Sequence, residues 1–393
     1  MTQTLAPRLT AADVYRGFVM LLMMAEVLDF SAVAEKIPES TFWQILSFHQ
    51  SHVEWVGCSL HDLIQPSFSF LVGVVLPFSI ANRMAKGGTC SKLFRHALFR
   101  SLMLILLGVF LRSQRANITY FTFEDTLSQI GMGYPFLFLL GFAKPKIQIT
   151  ALVVILLGYF AAFVLYTLPP NFDYTAVGVP INWEHNLIGF AAHWNKNTNL
   201  AWDFDTWFLN LFPRETPFTF NKGGYSTLSF IPTLGTMILG LLAGNILIVN
   251  KLSTEKLKMF LILGISGIAM GLLLNGLGIC PNVKRIWTPT WVIFSGGCCF
   301  LLLSFFYFLT EIRQSKFWQL PFLVIGSNSI AAYFLSDSML PGYIKKNLHI
   351  HLGENFDKIL GENYSTLVLG GSVLLLQWLI LYWLYRKKIF IKV

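Results

Sequence analysis

The chain runs in long apolar blocks separated by polar connections, and the blocks lack the two-residue alternation that a lipid-facing barrel strand needs. Stretches of about 20 mostly apolar residues, enough to cross a hydrocarbon layer as helices, fall at 14–33, 60–82, 93–112, 124–143, 147–168, 226–249, 257–277, 287–310, 318–340 and 365–385. Backbone in lipid must satisfy its own hydrogen bonds, which a helix does within one segment. These ten blocks therefore predict an all-α fold, a polytopic membrane bundle of about ten transmembrane helices. Two connections are long, 34–59 and 169–225. The second is rich in aromatic residues and carries His185 and His193, so it predicts a folded cap over the bundle rather than a disordered linker. With no internal repeat in view, residues 1–393 read as a single membrane domain with the 169–225 loop inside it.

Composition agrees with the pattern: 54% of residues are hydrophobic and 12% charged, with a mean hydropathy of +0.59, far from soluble usage. The first 13 residues hold one arginine and no apolar core ahead of a small-residue cleavage site, so the first block predicts a retained helix. Of the 29 Lys and Arg residues, 17 fall in the termini and the even-numbered connections. The positive-inside bias then places both termini in the cytoplasm and the two long connections outside. The net charge of +9 reads as topology and attraction to anionic lipid. Nucleic acid is excluded as a partner, because no basic stripe is interleaved with exposed aromatics.

The five cysteines, Cys58, Cys90, Cys280, Cys298 and Cys299, follow no zinc or redox spacing and are expected as free thiols. His52-Val53-Glu54 has the form of a deaminase His-x-Glu, but the Pro-Cys-x-x-Cys that completes such a zinc site is missing, and no metal is expected.

Candidate chemistry gathers in 51–65, "SHVEWVGCSLHDLIQ". Ser59 and Asp62 have the spacing of a capping box at a helix start. Asp62 is either that cap alone or, in addition, an ionised partner that fixes the tautomer of His52 or His61. His52 is of the residue type whose unperturbed pKa suits a general base at neutral pH, although a loop histidine is more often a surface residue. Glu26 lies well inside the first span, where a carboxylate faces a cavity, pairs with a cation or takes a proton. In the ninth span Asn328, Ser329 and Asp337 line a cavity or bond between helices.

Six segments together carry a resemblance: "DVYRGFVMLLMM" (13–24), "HVEWVGCSLHDLIQPSFSFLVGVVLPFS" (52–79), "LSQIGMGY" (127–134), "GGYSTLSFIPTLGTMILGLLAG" (223–244), "IWTPTWVIFSGG" (286–297) and "IGSNSIAAYF" (325–334). In that order they resemble the heparan-alpha-glucosaminide N-acetyltransferase family of transmembrane acyltransferases, in its bacterial branch. The resemblance implies acetyl-CoA as the acyl donor from the cytoplasmic side and a sugar or glycan amine, or hydroxyl, as the acceptor on the far side. It implies His52 as the catalytic residue and Asp62 as its motif acid; Glu26, from its place in the first span, is read as a third catalytic candidate that orients the acceptor or relays the proton. Candidate acceptor contacts are Glu54, Trp55, Gln65, His193, Trp194 and Asn328, and candidate donor contacts are Arg16, Arg100 and Gln129. A two-step route through acetyl-His52 or acetyl-Cys58 stays open. Two positions depart from the family pattern: Val27 stands where an asparagine is common, and Gln129 where an arginine is common. The bacterial branch implies the inner membrane, with the lipid bilayer and a second copy of the chain as further partners. A membrane transporter or flippase for a sugar-containing or small anionic substrate is the alternative reading. Its usual pairing of broken helices in two related halves is not visible in the sequence.

Overall fold

The computed structural model describes residues 9–391. Arg8 and Lys392, which entered the charge count, lie outside them. The described residues are helical with no strand, and they fall into two compact units. Each unit is discontinuous in sequence. Glu54–Gly57 and Gln65–Phe305 belong to one, while Thr10–Val53, Cys58–Ile64 and the chain from Phe306 onward belong to the other.

Seven segments are helices long and apolar enough to cross a membrane: His61–Ala85, Cys90–Ser113, Pro145–Leu165, Thr227–Ile248, Ser253–Gly276, Pro289–Ile312 and Glu362–Arg386. They match seven of the ten expected spans. The other three differ. The first is broken: helix Thr10–Met24 runs into a 3-10 turn, Ala25–Leu28, and then bends by 42° into a short helix, Phe30–Lys36. The break sits at Asp29, whose φ of 51° is left-handed and whose carboxylate accepts from Ala32 N at 3.3 Å, capping the new helix. Aspartate tolerates this conformation better than its bulky apolar neighbours Leu28 and Phe30 would. The fourth expected span, 124–143, is a 15-residue helix, Thr126–Leu140. Asp125 caps its start through Leu127 N and Ser128 N, both at 3.0 Å, and Pro145 opens the next helix soon after its end.

The ninth expected span, 318–340, is two helices, Leu320–Ser327 and Ser329–Asp337, parted at Asn328. The fully buried Asn328 amide donates to Ile389 O at 3.0 Å and accepts from Ile391 N at 2.9 Å, so the break is built around the end of the chain.

In the unit that begins at Thr10, helices Thr10–Met24 and Leu320–Ser327 meet backbone to backbone. A Cβ on Gly17 would run into the Phe322 carbonyl, and one on Gly326 into that of Asp13. Small residues allow such approach between membrane helices, where dispersion replaces the hydrophobic drive. In the other unit, helices Ile64–Ala85 and Phe230–Ile248 approach in the same way at Gly73 and Gly240. There the 169–225 connection is folded, with a helix at Leu200–Phe208 and 3-10 turns at Tyr174–Val177, Gly189–Trp194 and Leu209–Leu211. Trp55 and Trp194 pack with Tyr159, Phe163 and Val283 in one buried cluster of that unit.

Candidate functional site

Helix Thr41–Gln50 ends shortly before His52, and the segment 58–64 turns into the next long helix through a 3-10 turn, His61–Leu63. Ser59 and Asp62 make the reciprocal exchange their spacing predicts. Asp62 N donates to Ser59 Oγ at 3.3 Å, and Ser59 N donates to Asp62 Oδ2 at 3.0 Å. The same Oδ2 accepts from Val53 N at 3.2 Å, which folds the chain on either side of 54–57 onto one carboxylate. Ser59 Oγ lies 2.5 Å from Ser51 O and 3.1 Å from Asp62 Oδ2.

The second carboxylate oxygen faces the imidazole, with His52 Nδ1 2.8 Å from Asp62 Oδ1. Asp62 is 1% exposed, whereas the His52 side chain is 37% exposed. With the carboxylate ionised, which accepts only, a neutral ring at this distance has its proton on Nδ1 and its lone pair on Nε2. The capping account and the partner account of Asp62 thus hold together, one oxygen serving each. Of the two histidines open as its partner, the structure places His52 there. His61 is buried, its ring centre 4.6 Å from that of His52. Cys58 is half-buried, with Sγ 3.2 Å from Ser59 O.

Glu26 sits in the 3-10 turn before the bend at Asp29, in the same unit. That turn is held by a residue the sequence did not single out. Gln50 donates to Ala25 O at 2.8 Å and accepts from Phe30 N at 2.7 Å, so its amide spans the turn and links it to the segment entering His52. A polar residue at a helix end two positions before His52 was the available signal, but nothing in its spacing points to residue 25. On the other side Gly370 lets helix Ser365–Arg386 lie against the Val27 carbonyl. Arg16 is ten residues earlier on helix Thr10–Met24, about 15 Å along the axis from Glu26. Its guanidinium is 3.6 Å from Asp13 and donates to Gly326 O at 3.4 Å. The Asn328 amide is taken up by Ile389 and Ile391, as described above.

The remaining candidates belong to the other unit. Trp55 is fully buried, its indole donating to Trp194 O at 3.0 Å, and Trp194 is equally buried. Both are core residues of the aromatic cluster, so neither offers a ring face to a ligand. Glu54 is exposed and accepts from Trp183 Nε1 at 2.8 Å. His193 is half-buried in the 3-10 turn beside Trp194, and Gln65 is half-buried in the first turn of helix Ile64–Ala85. Arg100 lies over the Tyr134 ring and donates to its hydroxyl at 3.3 Å. Gln129, fully buried, donates to Phe123 O, Ser226 O and Thr227 O at 2.9, 3.3 and 3.3 Å, which makes it a staple between loops.

Asp205, on the short helix of the 169–225 connection, was not foreseen. It is 2% exposed and accepts from Thr227 N at 2.9 Å, at the start of the Thr227–Ile248 span. Burial pushes its carboxyl up to about 7, against the lowering effect of its Thr227 bonds. Among the described residues, no group of three or more His, Cys, Asp or Glu side chains converges as a metal site would require.

No family model matches the chain. Among curated proteins it is similar to human heparan-alpha-glucosaminide N-acetyltransferase, 22% identical over 429 residues that take in 99% of this chain and 60% of that protein. The chain thus spans about three-fifths of the relative's length, and the likeness supports a distant family relationship.

Proposed function

We propose that the chain is a transmembrane acyltransferase that moves an acetyl group from cytoplasmic acetyl-CoA to an amine or hydroxyl of a sugar on the outer side of a bacterial inner membrane. The observation that carries this reading is the 2.8 Å bond between His52 Nδ1 and a buried carboxylate that the Val53 and Ser59 N–H groups hold in place. It orients the half-exposed imidazole so that Nε2 is the nitrogen that serves as the base in this reading. The acceptor nitrogen, as the free amine, attacks the thioester carbonyl carbon. The new C–N bond forms as the C–S bond breaks, Nε2 takes the proton from nitrogen, and the thiolate of CoA departs. Asp62 stabilises the imidazolium that results, and a positioned base of this kind contributes roughly 10²–10⁴ in rate. Glu26, on the turn tied to Gln50, orients the acceptor or relays its proton. For the donor's phosphates the guanidinium of Arg16, in the unit of His52, suits, while Gln129 is spent on three carbonyls.

The two broken helices at Asp29 and Asn328 favour the second reading, a transporter, whose substrates bind at such breaks. Here, however, the chain itself fills the groups at both breaks: the Asp29 carboxylate caps Ala32 N, and the Asn328 amide holds Ile389 and Ile391. The test is purified protein in nanodiscs, given acetyl-CoA labelled in the acetyl group together with glucosamine. Label in N-acetylglucosamine with release of free CoA is the expected result. No transfer from acetyl-CoA to any amino or neutral sugar, together with sugar uptake into proteoliposomes that needs no CoA, would replace the transferase with the transporter.

A further inference from the structure

Residues 186–195 of the long 169–225 connection, "NLIGFAAHWN", contain no Asp, Glu, Lys or Arg. They form a closed finger. The fully buried Asn195 amide accepts from Leu187 N at 2.8 Å and donates to Leu187 O at 2.9 Å, so one side chain ties the two ends together. Gly189, at φ 62°, makes the turn at the tip, and a Cβ there would meet nothing within 4 Å. The tip therefore projects outward, with Ile188 88% and Phe190 49% exposed.

Beside the tip, in the same unit, stands a helix that faces lipid. Pro145–Leu165 is one of the seven segments able to cross a membrane, and its 21 residues make about 31 Å, close to the roughly 30 Å of a hydrocarbon core. Only 17% of its most apolar stretch is buried, and Val154, Leu157 and Leu165 are exposed on one side of it. Phe160 lies at the edge of that side, its ring centre 6.4 Å from that of Phe190. Trp194, on the return of the finger, packs against the same Phe160 ring at 5.5 Å. Phe160 is five residues short of the helix end at Leu165, about 7–8 Å along the axis. Even with the whole ring separation laid along that axis, Phe190 stays below the level at which the helix leaves the hydrocarbon.

We propose that the Ile188–Phe190 tip is a membrane anchor of the 169–225 connection, inserted among the acyl chains of the leaflet on its side of the bilayer. A finger without formal charge, with an apolar tip and its ends closed by an internal amide, suits the boundary between headgroups and acyl chains, where apolar side chains are buried from water. The occupant is lipid because the surface continuous with the tip is the exposed face of Pro145–Leu165, which the bilayer itself covers. The anchor requires no acetyl transfer and stands or falls apart from the transferase reading.

The experiment attaches a nitroxide spin label at Ile188→Cys in the full-length protein, with the exposed Cys90 replaced by serine, in nanodiscs of phosphatidylcholine. It compares collisions of the label with oxygen, which concentrates in lipid, and with a water-soluble nickel chelate. Leu157→Cys, on the exposed side of the helix, is the lipid reference, and Lys222→Cys, an exposed lysine of the same connection, is the water reference. Signal from the remaining cysteines is subtracted with the Cys90→Ser protein alone. The label at 188 collides several-fold more often with oxygen than with nickel, as at 157, and the order reverses at 222. So exposed a position tolerates cysteine, and Phe190→Cys gives a second reading at the same tip. Collisions at 188 and 190 that match those at 222 would overturn the anchor. Dipolar broadening between labels at 188 would overturn it as well, by placing a second copy of the chain where lipid is proposed.

Discussion

Replacing Asp62 by asparagine keeps the shape of the side chain, removes its charge and puts two donors where one acceptor stood. The donors on the carboxylate include His52 Nδ1 on one oxygen and Val53 N and Ser59 N on the other. The amide must turn its NH2 to one side or the other. Facing Val53 and Ser59, it leaves two backbone N–H groups beside a residue 1% exposed, at about 1–3 kcal/mol each. Facing His52, it meets an imidazole that can move its proton to Nε2 and accept at Nδ1. The second arrangement is cheaper by several kcal/mol, so it wins. Asp62→Asn should then lose only about 0.5–2 kcal/mol of stability, mostly from the weakened cap. Its acetyl transfer should fall by roughly 10²–10⁴, as far as in His52→Ala, because the base is held in the wrong tautomer. Turnover read from labelled acetyl-CoA, beside thermal unfolding in the same detergent, separates the two effects. Asp62→Asn that transfers acetyl within threefold of the wild type would refute the reasoning, since the charge and the tautomer would then be irrelevant to the chemistry.

Asp205 makes stability depend on pH. Its carboxyl titrates at about 7 in the fold because burial disfavours the charge, well above the usual aspartate range near 4. The folded state holds that proton after the unfolded chain has lost it, so stability is full below pH 4 and declines at up to about 1.4 kcal/mol per pH unit until pH 7. Asp205→Asn, which keeps an acceptor for Thr227 N, should remove this component of the slope in unfolding measured from pH 4 to 8. A slope equal to the wild type would contradict it. Gln50→Ala should cost about 1–3 kcal/mol by opening both bonds to the 25–30 turn and should raise the KM for the acceptor more than it lowers kcat. Unchanged stability and kinetics would remove Gln50 from the site. Cysteines placed at 45 and 200 should react with a membrane-impermeant maleimide in intact cells. Reaction only after lysis would reverse the proposed orientation.

What could be read from the sequence was what depends on neighbours in the chain. Apolar blocks give helices because the backbone requirement in lipid is met within each segment, and seven blocks did so at full length. The cap at Ser59 and Asp62 was legible for the same reason, since its partners are three residues apart. The breaks were not. Asn328 parts its helix to hold residues 389–391, and no window around 328 contains that demand. Asp29 adopts a left-handed φ within a run that hydropathy alone reads as continuous. Residue type misled at Trp55 and Trp194, because an aromatic side chain fits a ligand wall and a buried core equally well, and the choice rests on a cluster assembled from residues 55 to 286. The His52 pairing falls between these cases. The sequence supplied both side chains and the reason to join them, but left two histidines within reach of one acid. What chose His52 is the Val53 N–H bond to Asp62, which anchors the residue next to the imidazole on the same carboxylate. A loop can carry His52 on its exposed side and still hold it steady only because that carboxylate is buried, capped and shared between the helix start and the ring.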